Sequence, residues 1–210
     1  MGLLNNAAEN LLQEMINYYV SGEYTKPFSS EELADCVISH AAAAGVAAMA
    51  GSVVPGIGAS IVVVGTTAAV WRMYIKMAKM VGTNLKEKTL KIIASAAISN
   101  LAMNAAVYIL LSFVPGVGTF AGGVINFASV YTAGLIFLTT LTRLFRVKRT
   151  DIEDISNEEW VENVKDSFSS VNVKRVIKEA ISLFSDLRES GDLQKAGEMA
   201  DVSADGFEDA

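Results

Sequence analysis

The residues best placed by type and spacing to do chemistry are Gly82 to Thr89, where Gly-Thr-Asn-Leu-Lys-Glu-Lys-Thr nearly matches the phosphate-binding loop G-x-x-x-x-G-K-[ST]. The mismatch falls at Glu87, which sets a bulky anion where a glycine should let backbone amides wrap a phosphate. The preceding segment also reads as helix, not strand, so nucleotide binding is not expected. Gly116-Val-Gly118-Thr-Phe-Ala121 fits the looser dinucleotide pattern G-x-G-x-x-A. It follows a long apolar run instead of a short strand, and no acid appears until Asp151 to hold a ribose. Cys36 and His40 stand one helical turn apart, the distance of a nucleophile and its base, but no third group or oxyanion site accompanies them. As the only cysteine and only histidine, they exclude a disulfide framework and a two-histidine metal site. The expectation is a non-enzyme with no cofactor and no metal.

The charge of the chain divides into three zones. Residues 1–36 carry six acids against Lys26, a balance of −5; residues 37–150 carry ten bases against Glu87 alone, a balance of +9; residues 151–210 carry sixteen acids against six bases, a balance of −10. A basic, apolar middle between acidic ends fits an anionic lipid surface better than nucleic acid, for which no binding motif is present. The acidic start shows no signal peptide, and Asn6 stands where a myristoylation motif needs Ser or Thr.

The middle zone is organised around two turns. From Val37 to Trp71 no residue carries a formal charge, and from Ile92 to Thr142 none does over 51 positions. Val54-Pro55-Gly56-Ile57-Gly58 interrupts the first run and Val114-Pro115-Gly116-Val117-Gly118 the second, 60 residues apart and differing at one position. Proline removes an amide donor and glycine permits positive φ, so Pro55, Gly56, Gly58 and Pro115, Gly116, Gly118 read as the apices of two helical hairpins in an internal repeat. The arms Ile92–Val114 and Thr119–Thr142 each exceed the roughly 20 residues that cross a hydrocarbon core of about 30 Å. The alanine-rich arm Val37–Val54 inserts less readily alone, but its small residues suit close helix packing. The expected fold is all-α, with four membrane-type helices in two hairpins flanked by amphipathic helices.

Basic residues bracket these hairpins: Arg72, Lys76, Lys79, Lys86, Lys88 and Lys91 between them, and Arg143, Arg146, Lys148 and Arg149 after the second. By the positive-inside rule both clusters lie at cytoplasmic headgroups, with both termini cytoplasmic. Trp71 and Tyr74 fit interfacial anchors. Before the hairpins, residues 1–36 hold an amphipathic helix over Asn5–Val20 and a capping box at Ser29 and Glu32. After them, residues 151–190 read as two acidic amphipathic helices, the first opened by Ser156 and Glu159. The second carries the stripe Val173, Val176, Ile177, Ile181, Phe184 and Leu187, expected to meet a partner. Residues 191–210 read as a disordered acidic tail.

The stretch Ala41–Gly82, with its Val-Pro-Gly-Ile-Gly-Ala apex and closing Met77-Ala-Lys-Met-Val-Gly82, resembles the hairpin domain of YcjF-type bacterial membrane proteins, and Val114-Pro-Gly-Val-Gly-Thr119 through Leu144-Phe145 resembles its second half. The same domain follows the GTPase domain of some bacterial GTPases. The resemblance covers roughly residues 37–146 and implies membrane association and a possible partnership with a GTPase; it carries over no catalytic residue, and the expected location is the bacterial inner membrane. The leading expectation is therefore a membrane-anchored interaction protein. Its alternatives are a pore-forming or toxin-like protein that unsheathes its hairpins to insert, alone or as a homo-oligomer, and a soluble bundle with a buried hairpin core.

Overall fold

A computed structural model describes residues 2–19, 28–51, 58–83, 85–103, 121–147 and 154–201. Among these, all regular structure is helical: α1 (Gly2–Tyr19), α2 (Ser30–Gly51), α3 (Gly58–Met80), α4 (Glu87–Met103), α5 (Ala121–Val147), α6 (Asn157–Ser170), α7 (Val173–Ser190) and α8 (Leu193–Asp201).

Local chemistry sets most of the helix ends. Ser29 and Glu32 open α2 reciprocally, the Glu32 amide donating to Ser29 Oγ and the Ser29 amide to the Glu32 carboxylate. At α6 the Glu159 amide donates to Ser156 Oγ, and at α7 the Arg175 amide donates to Asn172 Oδ1. Gly82 (φ +70°) stops α3 and Gly191 (φ +79°) stops α7, each in the left-handed region that a glycine enters without a Cβ penalty.

The helix α5 is apolar on every side, and a helix of that kind must lie at the centre of a bundle or in lipid. Here it is central. It packs against α1, α2, α3, α4, α6 and α7, and Phe127, Tyr131, Ile136, Phe137, Leu138 and Leu141 are fully buried. Each fully buried side chain of this size contributes about 1.5–3 kcal/mol to the folded state. α1 is a one-sided helix whose Leu4, Ala8, Leu11, Leu12 and Met15 face α5 and α2. α7 covers α5 from another side with Val176, Ile177, Ala180, Leu183 and Phe184.

Four membrane-type helices were expected; among the described residues two are long and apolar enough to cross a membrane. These are Ser30–Ala50 in α2 and Gly122–Val147 in α5, with mean hydropathies of 1.5 and 1.7. In the described parts of the other two arms, α3 carries Arg72, Lys76 and Lys79, and α4 begins with Glu87, Lys88 and Lys91 and spans 17 residues. The apex residues Pro55, Gly56, Pro115, Gly116 and Gly118 lie outside the described residues, as do Lys148 and Arg149; Gly58 is the first residue of α3.

The acidic tail also differs from expectation. Residues 193–201 form α8, laid on α2, because Leu193, Ala196, Gly197 and Ala200 make a small-residue stripe. A Cβ on Gly197 would stand 3.1 Å from the backbone of Ala43, so the two helices touch almost main chain to main chain. Residues 202–210 lie outside the described part.

Candidate functional site

The two apolar helices are partners of one another. Val37 lies against Gly134, and Gly45 lies against Gly123, so α2 and α5 run antiparallel. The approach is close: a Cβ on Gly134 would meet Val37 Cγ1 at 2.6 Å, and one on Gly123 would meet the Gly45 carbonyl oxygen at 3.0 Å. Ala41, Ala42, Ala44 and Ala48 are buried along the same helix, as its small-residue composition leads one to expect.

Most polar side chains on this pair are satisfied by their own helix. Thr132, Thr139, Thr140 and Thr142 each donate to the carbonyl four residues back, at 2.6–2.9 Å. Asn126 Nδ2 donates to the Gly122 carbonyl at 2.8 Å, and its Oδ1 accepts from Thr66 Oγ1 of α3. In α2, Ser39 Oγ donates to the Cys36 carbonyl at 3.1 Å, and His40 Nδ1 lies 2.8 Å from the same oxygen. Bonds of this type travel with the helix and stay made in any solvent.

A smaller set ties the pair to its covering. Tyr74 Oη of α3 donates to the Ala133 carbonyl at 2.8 Å, and its ring stacks on Phe137 with centroids 4.1 Å apart. Tyr74 is thus a core residue, not the expected interfacial anchor. Tyr131 Oη of α5 donates to Glu179 Oε1 of α7 at 2.8 Å, and the Leu3 amide of α1 donates to the same oxygen at 3.2 Å. Glu179 therefore joins three helices, a role nothing in its sequence position signals. Thr140 Oγ1 also donates to Ser167 Oγ of α6 at 2.9 Å.

The two basic clusters have different surroundings. Arg146 holds Glu14 of α1 through Nε and Nη2 at 2.9 and 2.6 Å, and Arg143 holds Asp166 of α6 at 3.1 Å. Those cations pin the end of α5 to its neighbours. In the other cluster Arg72, Lys79, Lys86, Lys88 and Lys91 are exposed and Lys76 is half-buried. Lys91 Nζ lies 5.7 Å over the half-buried Trp71 ring, a cation–π arrangement.

The stripe on α7 expected to meet a partner meets α5 instead. Val176, Ile177 and Phe184 are 1% exposed, while Val173, Ile181 and Leu187 are half-buried at its edges. The physical reason is size: the apolar circumference of α5 needs more cover than α2 and α3 supply.

Among its described residues, the near-phosphate loop has no cradle geometry. Gly82 ends α3, with its own amide and that of Thr83 turned back to the Lys79 and Ala78 carbonyls, and Glu87 opens α4. Cys36 and His40 are buried within α2, with Sγ 3.9 Å from Nδ1. Among the described residues no three His, Cys, Asp or Glu side chains converge on a metal position. A cleft of about 390 Å³ lies between α1, α5 and the start of α7, lined in part by Asn6, Asn10, Thr139, Asn172 and Arg175; Arg175 is its one titratable group, so it holds no nucleophile–base pair. The chain matches no family model, no curated protein and no solved structure.

Proposed function

We propose that this is a non-catalytic membrane-inserting protein, held in water as a closed bundle and delivering its apolar α2–α5 pair into lipid. One observation carries the reading. The polar side chains of α5 are bonded mainly to their own backbone, whereas the helices that cover it are amphipathic. A core helix of an ordinary soluble bundle has apolarity and burial in common with α5. Its buried hydroxyls also need partners, which any neighbouring group can supply. Bonds to the helix's own backbone have the further property of staying made in lipid, where no water is present to complete an unmade bond.

The covering is suited to release. Its ion pairs at Arg143 and Arg146 each have an exposed guanidinium, so solvent screens them and they hold the covering weakly. The glycine contacts of α2 with α5 would let the pair stay together after insertion. In this reading the hairpins turning at Pro55 and Pro115 enter the bacterial inner membrane from the cytoplasmic side, and homo-oligomers of the inserted form line a pore. A permanent anchor presenting α7 to a GTPase needs the α7 stripe free, and its central residues are buried on α5. The sheathed form is therefore preferred.

The test uses the full chain purified without detergent. Incubation with anionic liposomes should give a carbonate-resistant, lipid-floating fraction and release of trapped dye. A chain that stays in the aqueous fraction at every lipid ratio is a soluble bundle. One that never leaves the membrane without detergent is a permanent anchor. Either result overturns the reading.

A further inference from the structure

We infer that the exposed cations of the α3–α4 corner form a docking face for an anionic lipid bilayer, acting before and apart from insertion. The inference rests on the membrane-inserting reading and assigns its first contact to one surface. Arg72, Lys76 and Lys79 recur at four and three residues along one side of α3, and Lys88 and Lys91 recur at three along α4, with Lys86 in the turn between them. The two helices pack on each other, and Lys91 over Trp71 brings the exposed cations of both to one corner. From Arg72 to Lys91 the sole acid is Glu87.

The contrast with the second basic cluster carries the assignment. Arg143 and Arg146 are neutralised by Asp166 and Glu14. Among the described residues no ion pair engages Arg72, Lys86, Lys88 or Lys91. The protein is otherwise acidic, with a net charge of −6, so a cluster of cations is the exception on its surface. Trp71 sits at the same corner under Lys91, its ring partly buried and its indole Nε1 enclosed with no acceptor among the described residues. A partly exposed indole with a cation beside it is the residue pattern of the headgroup layer. Duplex nucleic acid would also take the positive charge, but it offers no apolar layer for Trp71 and no reason for the adjoining charge-free helices.

Docking of this kind is electrostatic. It requires anionic headgroups, weakens with salt, and depends on where the charges lie instead of on net charge. The experiment compares wild type, the double variant Lys86→Glu/Lys88→Glu, and the equal-charge control Lys174→Glu/Lys178→Glu on the exposed side of α7. Binding is measured by flotation with vesicles of about one-third phosphatidylglycerol in phosphatidylcholine, and the α3–α4 variant should bind at least about tenfold more weakly than wild type. The α7 control should stay within about twofold, and pure phosphatidylcholine vesicles should retain little of any form. Equal weakening by both variants, equal binding to neutral vesicles, or retention by duplex RNA in place of vesicles overturns the inference. Carbonate resistance at saturating lipid is read in the same samples and separates the two ideas. Salt-sensitive binding that carbonate strips away leaves the docking face standing and removes insertion. Carbonate-resistant insertion with undiminished docking of Lys86→Glu/Lys88→Glu does the reverse.

Discussion

Glu179 shows how much a single side chain can hold in this bundle. Its Oε1 accepts from Tyr131 Oη of α5 and from the Leu3 amide of α1, so one carboxylate on α7 fastens two other helices. A hydrogen bond to a charged acceptor contributes about 1.5–3 kcal/mol, and part of that remains with the Leu3 amide when the phenol is removed. Tyr131→Phe should therefore lose about 1–2 kcal/mol, seen as a lower urea midpoint with an unchanged slope. Stability equal to wild type would mean that the bond contributes nothing net. Cys36 offers a second residue-scale test. It is 2% exposed in the closed bundle, so a water-soluble maleimide should label it slowly in native buffer and fully in denaturant. Rapid labelling of the native chain would show that α2 is not covered as described. Neither role was legible beforehand: an acid on an amphipathic helix reads as solvent-facing, and only the fold brings Tyr131 and Leu3 to it.

At the scale of elements, what was legible is what is local. The boxes at Ser29/Glu32 and Ser156/Glu159 are encoded within four residues, and both open helices where the spacing predicts. The stripe from Val173 to Leu187 likewise gives α7 its face, though not the identity of what covers it. The helix α8 was missed because its stripe is Leu, Ala, Gly and Ala, too small to register as apolar until it lies on the alanines of α2. Tyr74 was misread because its position near a cationic arm end outweighed a contact with Phe137 that only folding creates. The contact of Gly134 with Val37 gives a sharp prediction. A Cβ on Gly134 would fall 2.6 and 2.8 Å from the two methyls of Val37, and a β-branched neighbour cannot rotate both away. Gly134→Ala should cost about 1–3 kcal/mol by forcing α2 off α5, whereas Gly2→Ala, with nothing within 4 Å, should be near neutral. Thermal melts of the pair check this, and equal midpoints would refute the close approach.

At the scale of the molecule, the question is whether the covering opens as a unit to release α2 and α5. Phe184 is the side chain that touches both: its ring meets Phe127 of α5 edge-on with centroids 5.5 Å apart, and its Cε2 lies 3.2 Å from where a Cβ on Gly45 of α2 would stand. Truncation to alanine removes a fully buried aromatic and should cost about 3–5 kcal/mol, a large part of a typical 5–15 kcal/mol total. If insertion proceeds through an opened bundle, its rate follows the opened population, so Phe184→Ala should insert at least about tenfold faster into anionic vesicles while melting earlier. Trp160→Ala supplies the comparison. Trp160 is equally buried, but it sits on α6, which packs against α4 as well as α5. A comparable loss of stability there should accelerate insertion less if α7 lifts away locally, and equally if the whole chain must unfold. Slower insertion by Phe184→Ala, despite its lower stability, would mean that the closed bundle is itself the membrane-active form.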